Sequence, residues 1–176
     1  MPETKTFAYK LCVVGDPSVG KTSLIRRYAD RKFDESYLPT IGADFTIKKI
    51  NLDESNIITL TIWDMGGHER FDRIRNHYYI GANAAFIVFD LSRRETFNHV
   101  KDWLNDIKSH CGEIPILIIA NKADLPNKAI SKEEIEKDFS NKNCQIFLTS
   151  AKTGENVDTI FEVIANQCFK FYDSST

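Results

Sequence analysis

Gly15-Asp16-Pro17-Ser18-Val19-Gly20-Lys21-Thr22 follows the pattern G-x-x-x-x-G-K-[ST]. In this pattern glycines let main-chain N–H groups curl around a phosphate. An apolar stretch precedes it and Ser23-Leu24-Ile25-Arg26-Arg27-Tyr28 follows in a helical pattern, so strand, loop and helix stand in the required order. Ser23 falls in the first turn of that helix, whose N-terminus adds partial positive charge to the anion site. Lys21 is placed to reach β- and γ-phosphates, and the Thr22 hydroxyl to ligate Mg²⁺. The chemistry implied is binding of a nucleoside triphosphate. The loop does not name the base.

The elements that position this loop read as alternating strands and helices, the signature of βαβ units around a mostly parallel sheet. Phe7 to Val14 forms the first predicted strand, and Ala84 to Phe89 and Ile114 to Ala120 are apolar enough to be covered on both faces. Gln145 to Leu148 is a further strand. Asp44 to Leu52 and Ile57 to Trp63 form an antiparallel hairpin through Asp53-Glu54-Ser55-Asn56, giving six strands. Two S-x-x-E spacings, Ser92 with Glu95 and Ser131 with Glu134, predict capped helix starts. Val157, Ile160, Phe161, Ile164, Ala165 and Cys168 share one helical face, and Phe97, Val100, Leu104, Ile107 and Cys111 another, so both stripes should pack on the sheet. No repeat, low-complexity tract or linker divides the chain, and residues 1–176 are expected to form one domain.

Two later segments address the base. Asn121-Lys122-Ala123-Asp124 follows the strand ending at Ala120, and Thr149-Ser150-Ala151-Lys152 follows the one ending at Leu148. With the P-loop, they resemble the N-K-x-D and S-A-K motifs of Ras-superfamily small GTPases. The resemblance implies a P-loop NTPase fold of the α/β class: three layers, α/β/α, a six-stranded mostly parallel sheet with one antiparallel edge strand, and about five helices. It implies that Asp124 accepts from the guanine N1–H and exocyclic amine, that Asn121 holds the base edge and the loop, and that the Ala151 N–H donates to O6. Ser150 belongs to the same base-reading set, and the stems of Lys122 and Lys152 would lie against the ring faces. Adenine presents the reverse pattern, so a site with these buried polar groups should reject it by roughly 10⁴-fold or more.

Ile41-Gly42-Ala43-Asp44-Phe45, Arg70-Phe71, Tyr78-Tyr79-Ile80-Gly81-Ala82 and Val100-Lys101-Asp102-Trp103-Leu104 look like Rab segments. The double glycine of Trp63-Asp64-Met65-Gly66-Gly67 is shared with the Arf branch, against which stand Pro2 in place of a myristoylatable glycine and the lack of an N-terminal amphipathic helix. The Rab likeness implies a switch I Thr40 whose hydroxyl ligates Mg²⁺ and whose N–H meets the γ-phosphate. Asp64 would hold Mg²⁺ through water, the Gly67 N–H would donate to the γ-phosphate, Phe33 would cover the guanine edge and Tyr37 would close over the phosphates. Phe33 also reads as an ordinary core aromatic. Catalysis would fall to Lys21, Thr40, Gly67 and His68.

His68 departs from the pattern, because most small GTPases carry Gln there to orient the attacking water. An imidazole offers one donor and one acceptor and can touch a water, but with different reach; the bland reading is a solvent-exposed residue that leaves hydrolysis slow. Pro17 is the second departure: its ring removes an amide and restricts φ where relatives carry Gly or a small residue. The expectation is intact GTP binding with low turnover. The alternative is a non-hydrolysing GTP-dependent interaction module; an adenine-nucleotide kinase would leave Asn121 and Asp124 unexplained.

In the hairpin, alternation puts Ile58, Leu60 and Ile62 on one face and Thr59, Thr61 and Trp63 on the other, with Trp63 turned from the core. The Rab likeness groups Phe45, Trp63 and Tyr78 as a docking patch for effectors, with an exchange factor and a GTPase-activating protein as further partners. The 176 residues carry 23 Lys and Arg against 25 Asp and Glu, a net charge of −2, which removes the basic footprint of a nucleic-acid binder. Cys12, Cys111, Cys144 and Cys168 have no disulfide or metal spacing, and His68, His77, His99 and His110 none for a metal. A monomeric cytoplasmic protein is expected, with no membrane anchor in these residues and peripheral association only through a lipidated tail beyond them.

Overall fold

The computed structural model describes residues 4–67, 72–140 and 144–173. The elements run β1 (Lys5–Val14), α1 (Lys21–Asp30), β2 (Ala43–Asn51), β3 (Asn56–Met65), α2 (Asp72–Tyr79), β4 (Ala84–Asp90), α3 (Arg94–Asn98), α4 (Val100–Cys111), β5 (Ile116–Asn121), α5 (Lys132–Phe139), β6 (Gln145–Leu148) and α6 (Val157–Tyr172). The strands form one sheet in the order β2-β3-β1-β4-β5-β6. All neighbours are parallel except β2, which pairs antiparallel with β3 from Ala43 opposite Met65 to Asn51 opposite Ile57.

Each central strand sends alternate side chains to two separate cores, and this is why β4 and β5 are apolar almost without a break. Leu11, Val13, Phe86, Val88, Leu117 and Ile119 join α1 and α6 on one face. Cys12, Val14, Ala85, Ile87, Phe89, Ile116 and Ile118 join α2 to α5 on the other. The predicted three-layer α/β/α architecture stands, and the apolar stripe of α6, Cys168 included, is fully buried. The six helices among the described residues agree with the expected number of about five, and the stripe from Phe97 to Cys111 spans two of them, separated at His99.

One predicted cap holds and one does not. Ser131 is the N-cap of α5 and accepts from the Glu134 N–H at 3.2 Å. Ser92 caps nothing: its hydroxyl and N–H both donate to Asp90 Oδ1, at 2.6 and 2.8 Å, and α3 begins after Arg93 with no side-chain cap. Trp63 also differs from the reading that turned it from the core. It is half-buried and packs on the second core cluster, with Lys10 Nζ 4.1 Å over its ring. Among the described residues no helix is long and apolar enough to cross a membrane.

Candidate functional site

The carboxyl ends of five strands converge on one edge of the sheet, where an open α/β fold binds its ligands. β1 delivers the P-loop, β3 Asp64 to Gly67, β4 Asp90, β5 Asn121 to Asp124 and β6 Thr149 to Lys152. Between them lies a cavity of about 540 Å³. Of the expected site residues, Pro17, Ser18, Gly20, Lys21, Thr22, Ser23, Phe33, Tyr37, Thr40, Gly67, Asn121, Lys122, Asp124, Ala151 and Lys152 line it. Gly15, Asp16, Val19, Asp64 and Ser150 do not; they sit behind the lining. Arg26 and Leu125 also line the cavity and were not foreseen. Leu125 directly follows the N-K-x-D motif, which is the signal that points to it. His68 and the Arg70-Phe71 segment lie outside the described residues.

The P-loop is shaped by two close approaches. Gly15 has φ +143°, and a Cβ there would lie 2.1 Å from the Val88 carbonyl oxygen, so only glycine fits. Lys21 is buried, and its ammonium donates to the Gly15 and Asp16 carbonyls, both at 2.7 Å. Burial pushes this ammonium down to about 8 against the pull of Asp64 and Asp16; an anion in the loop would hold its charge. The first-turn amides of α1 have no intrahelical acceptor and face the same space. Thus the loop offers main-chain donors and one buried cation.

The base end is tied together before any ligand arrives. Asn121, 1% exposed, donates from Nδ2 to the Val19 carbonyl at 2.9 Å and accepts from Thr149 Oγ1 at 3.1 Å, joining β5, the P-loop and β6. Ser150 Oγ donates to Asp124 Oδ1 at 2.6 Å, fixing one carboxylate oxygen of a residue that lines the cavity. Lys122 Nζ lies 2.9 Å from the Ser18 carbonyl and 2.7 Å from Asp90 Oδ2. Burial alone would raise the Asp90 carboxyl, but the bonds from Lys122 and Ser92 outweigh it and hold the group below the usual carboxylate range. Phe33 lines the cavity and also packs on the first core cluster.

At the opposite end, three oxygen-bearing side chains gather. Thr22 Oγ1 lies 3.0 Å from Thr40 Oγ1 and donates to Asp64 Oδ2 at 2.5 Å, with Thr40 Oγ1 3.4 Å from that same oxygen. Asp64 Oδ1 is buried with no hydrogen-bond partner, and burial raises the carboxyl against the bonds from Thr22 and the charge of Lys21. An all-oxygen set with one orphaned carboxylate oxygen fits a small hard divalent cation such as Mg²⁺. Gly67 rests on the P-loop so closely that a Cβ would meet Gly15 O at 2.5 Å and Asp16 C and Pro17 N at 2.7 Å.

The aromatic patch is assembled as expected. Phe45 and Trp63 stack with centroids 5.7 Å apart, and Trp63 and Tyr78 lie 6.0 Å apart.

Comparison with known proteins agrees with this geometry. The sequence model of the Ras family matches residues 10–170. The GTP-binding protein ypt1 of Schizosaccharomyces pombe is 38% identical over 163 residues, covering 92% of this chain and 80% of that protein. With the P-loop, the two base-side motifs and the sheet order all accounted for, the chain belongs to the Ras family as a Rab-like small GTPase.

Proposed function

We propose that this GTPase is a slow-hydrolysing switch in vesicle trafficking, which recruits effectors through Phe45, Trp63 and Tyr78 when GTP is bound. The observation that carries the nucleotide assignment is the Ser150–Asp124 hydrogen bond at the cavity's rim, which orients a carboxylate to accept from the two donors on guanine's edge. Asn121 couples that reader to the P-loop through the Val19 carbonyl. Lys21 and the loop amides hold the β- and γ-phosphates, and the Thr40 and Gly67 N–H groups meet the γ-phosphate. Thr22, Thr40 and Asp64 would hold Mg²⁺, which would neutralise charge on the phosphate oxygens.

Hydrolysis is in-line attack of water on the γ-phosphate, with acceleration from positioning and electrostatics. In sequence, His68 takes the position after Gly67 where relatives carry the Gln whose amide orients that water, and Pro17 lines the cavity beside the phosphate-binding loop. Both support low intrinsic turnover, with an activating protein supplying the missing stabilisation and an exchange factor reloading GTP. A cytoplasmic, monomeric chain with membrane contact through a lipidated tail fits this role.

Calorimetry should give a GDP affinity at least ~10³-fold above that for ADP; comparable affinities would end the guanine assignment. Single-turnover phosphate release should rise clearly in His68→Gln. A wild type as fast as the variant would refute slow hydrolysis, and no release from either would assign the non-hydrolysing interaction module instead.

A further inference from the structure

Three side chains grip the P-loop from outside the cavity. Trp103 Nε1, on α4, donates to Asp16 Oδ1 at 2.8 Å, and His99 Nδ1 lies 2.6 Å from Asp16 Oδ2. Arg93, just before α3, donates to the Pro17 carbonyl at 3.2 Å. Both carboxylate oxygens of Asp16 are engaged by these partners, and Asp16 does not line the cavity. Gly67 rests on the backbone of these same residues, with no room for one more carbon: a Cβ there would lie 2.7 Å from Asp16 C and Pro17 N. The indole that holds Asp16 also carries the Arg75 guanidinium of α2 4.3 Å over its ring, and Arg75 lies 3.7 Å from Asp106 of α4.

Helix α4 therefore joins the P-loop to α2, working from outside. A γ-phosphate held by the P-loop and the Gly67 amide would join the P-loop to Gly67, at the start of the stretch leading to α2, from inside. Two links that order the same pair of elements favour one another, since each lowers the entropy that the other must remove. A diphosphate contacts only the P-loop and draws on neither Gly67 nor α2.

We propose that Trp103 and His99 are positioning residues for triphosphate discrimination: by clamping Asp16 they fix the platform on which Gly67 docks, and so raise affinity for GTP over GDP. The proposal rests on the guanine-nucleotide reading of the cavity. It assigns Asp16 a task separate from phosphate contact, with its side chain serving the helix while its backbone serves the loop.

The test is the ratio of dissociation constants for a non-hydrolysable GTP analogue and for GDP, measured on the whole chain with Mg²⁺. Trp103→Phe keeps a ring under Arg75 and removes the donor; the ratio should rise about three- to tenfold while GDP affinity stays within about twofold. His99→Ala, at a half-exposed position, should raise it about twofold and keeps the test open should Trp103→Phe fold poorly. Joined to Asp16→Ala, Trp103→Phe should add nothing further, because both variants remove the same bond. Equal loss of both affinities would reduce the clamp to general structural support and overturn the proposal, as would an unchanged ratio. A wild type that binds neither nucleotide would overturn the guanine reading and this proposal together, whereas a wild type that binds both tightly isolates the failure to the clamp.

Discussion

The two ends of the nucleotide cavity are held in different ways. At the base end, Asn121, Thr149, Ser150 and Asp124 are linked by side-chain hydrogen bonds among themselves and to the P-loop, and the Ala123 N–H donates to the Thr149 carbonyl at 2.9 Å. At the phosphate end, residues 32–42 form no helix or strand, and Tyr37, Leu38 and Ile41 are 55%, 75% and 80% exposed. That segment is tied down by Thr40, which meets Thr22 and Asp64, and by an exposed ion pair of Glu35 with Lys152 at 3.1 Å. Recognition of the base is prebuilt, which limits the ordering cost of binding. The part proposed to meet the γ-phosphate has few buried contacts, the kind that opens and closes at low free energy. A switch needs both: one end that does not care about nucleotide state and another that responds to it.

The largest expected effect would break the prebuilt end. Asp124→Asn replaces a double acceptor by a group that also donates, so guanine nucleotide affinity should fall about 10³-fold and xanthine nucleotides should gain, read by competition binding. Thermal stability should hardly change, because Ser150 can still donate to the amide oxygen; a large drop in melting temperature would mean that Asp124 is structural. Gly67→Ala strikes the responsive end instead. The new methyl would meet backbone atoms of the P-loop, which cannot step aside, so affinity for a GTP analogue should fall about tenfold with GDP little changed. If both nucleotides lose equally, the two ends are not separable as described.

The smallest effect sharpens how the responsive end is supported. The hydrogen bond to Asp16 raises the His99 imidazole above its ordinary value, with Asp102 and Glu95 adding to it against the opposing effect of burial. The stabilisation is complete below the unfolded value of about 6.5 and is lost as pH rises through the folded value. The stability difference between wild type and His99→Gln should therefore shrink from pH 6 to pH 8, by less than about 1 kcal/mol for so exposed a group. Denaturant melts at several pH values read this directly, and a difference that grows with pH would place the charge elsewhere.

What was legible in the sequence follows from how local each device is. The P-loop is eight contiguous residues whose backbone does the binding, and the motifs after β5 and β6 are short and sit at strand ends. The α6 stripe was readable because every buried position lies on one element. The Ser92 cap was misread because Asp90, two residues earlier, competes for the same hydroxyl; an Asp-x-Ser turn was the available signal. Trp63 obeys strand alternation, yet the face it occupies is roofed by the second core, which alternation cannot show. The role of the Asp16 side chain was hidden altogether, since its partners stand 83 and 87 residues away. His68, to which the proposed slow hydrolysis is assigned, lies outside the described residues.

The β2–β3 hairpin acts as a ruler between Thr40 and Gly67. β2 starts three residues after Thr40, β3 ends two before Gly67, and the Gly66 N–H donates to the Gly42 carbonyl at 2.9 Å where the two meet. Nine residue pairs fix the register, and shifting it by one would turn every side chain to the wrong face. Length variation is therefore safe at the distal tip, around Asp53 to Ser55, and forbidden along the rungs. A peptide tag or fluorophore spliced into that tip would ride on the molecule without altering the spacing of the two phosphate-sensing groups.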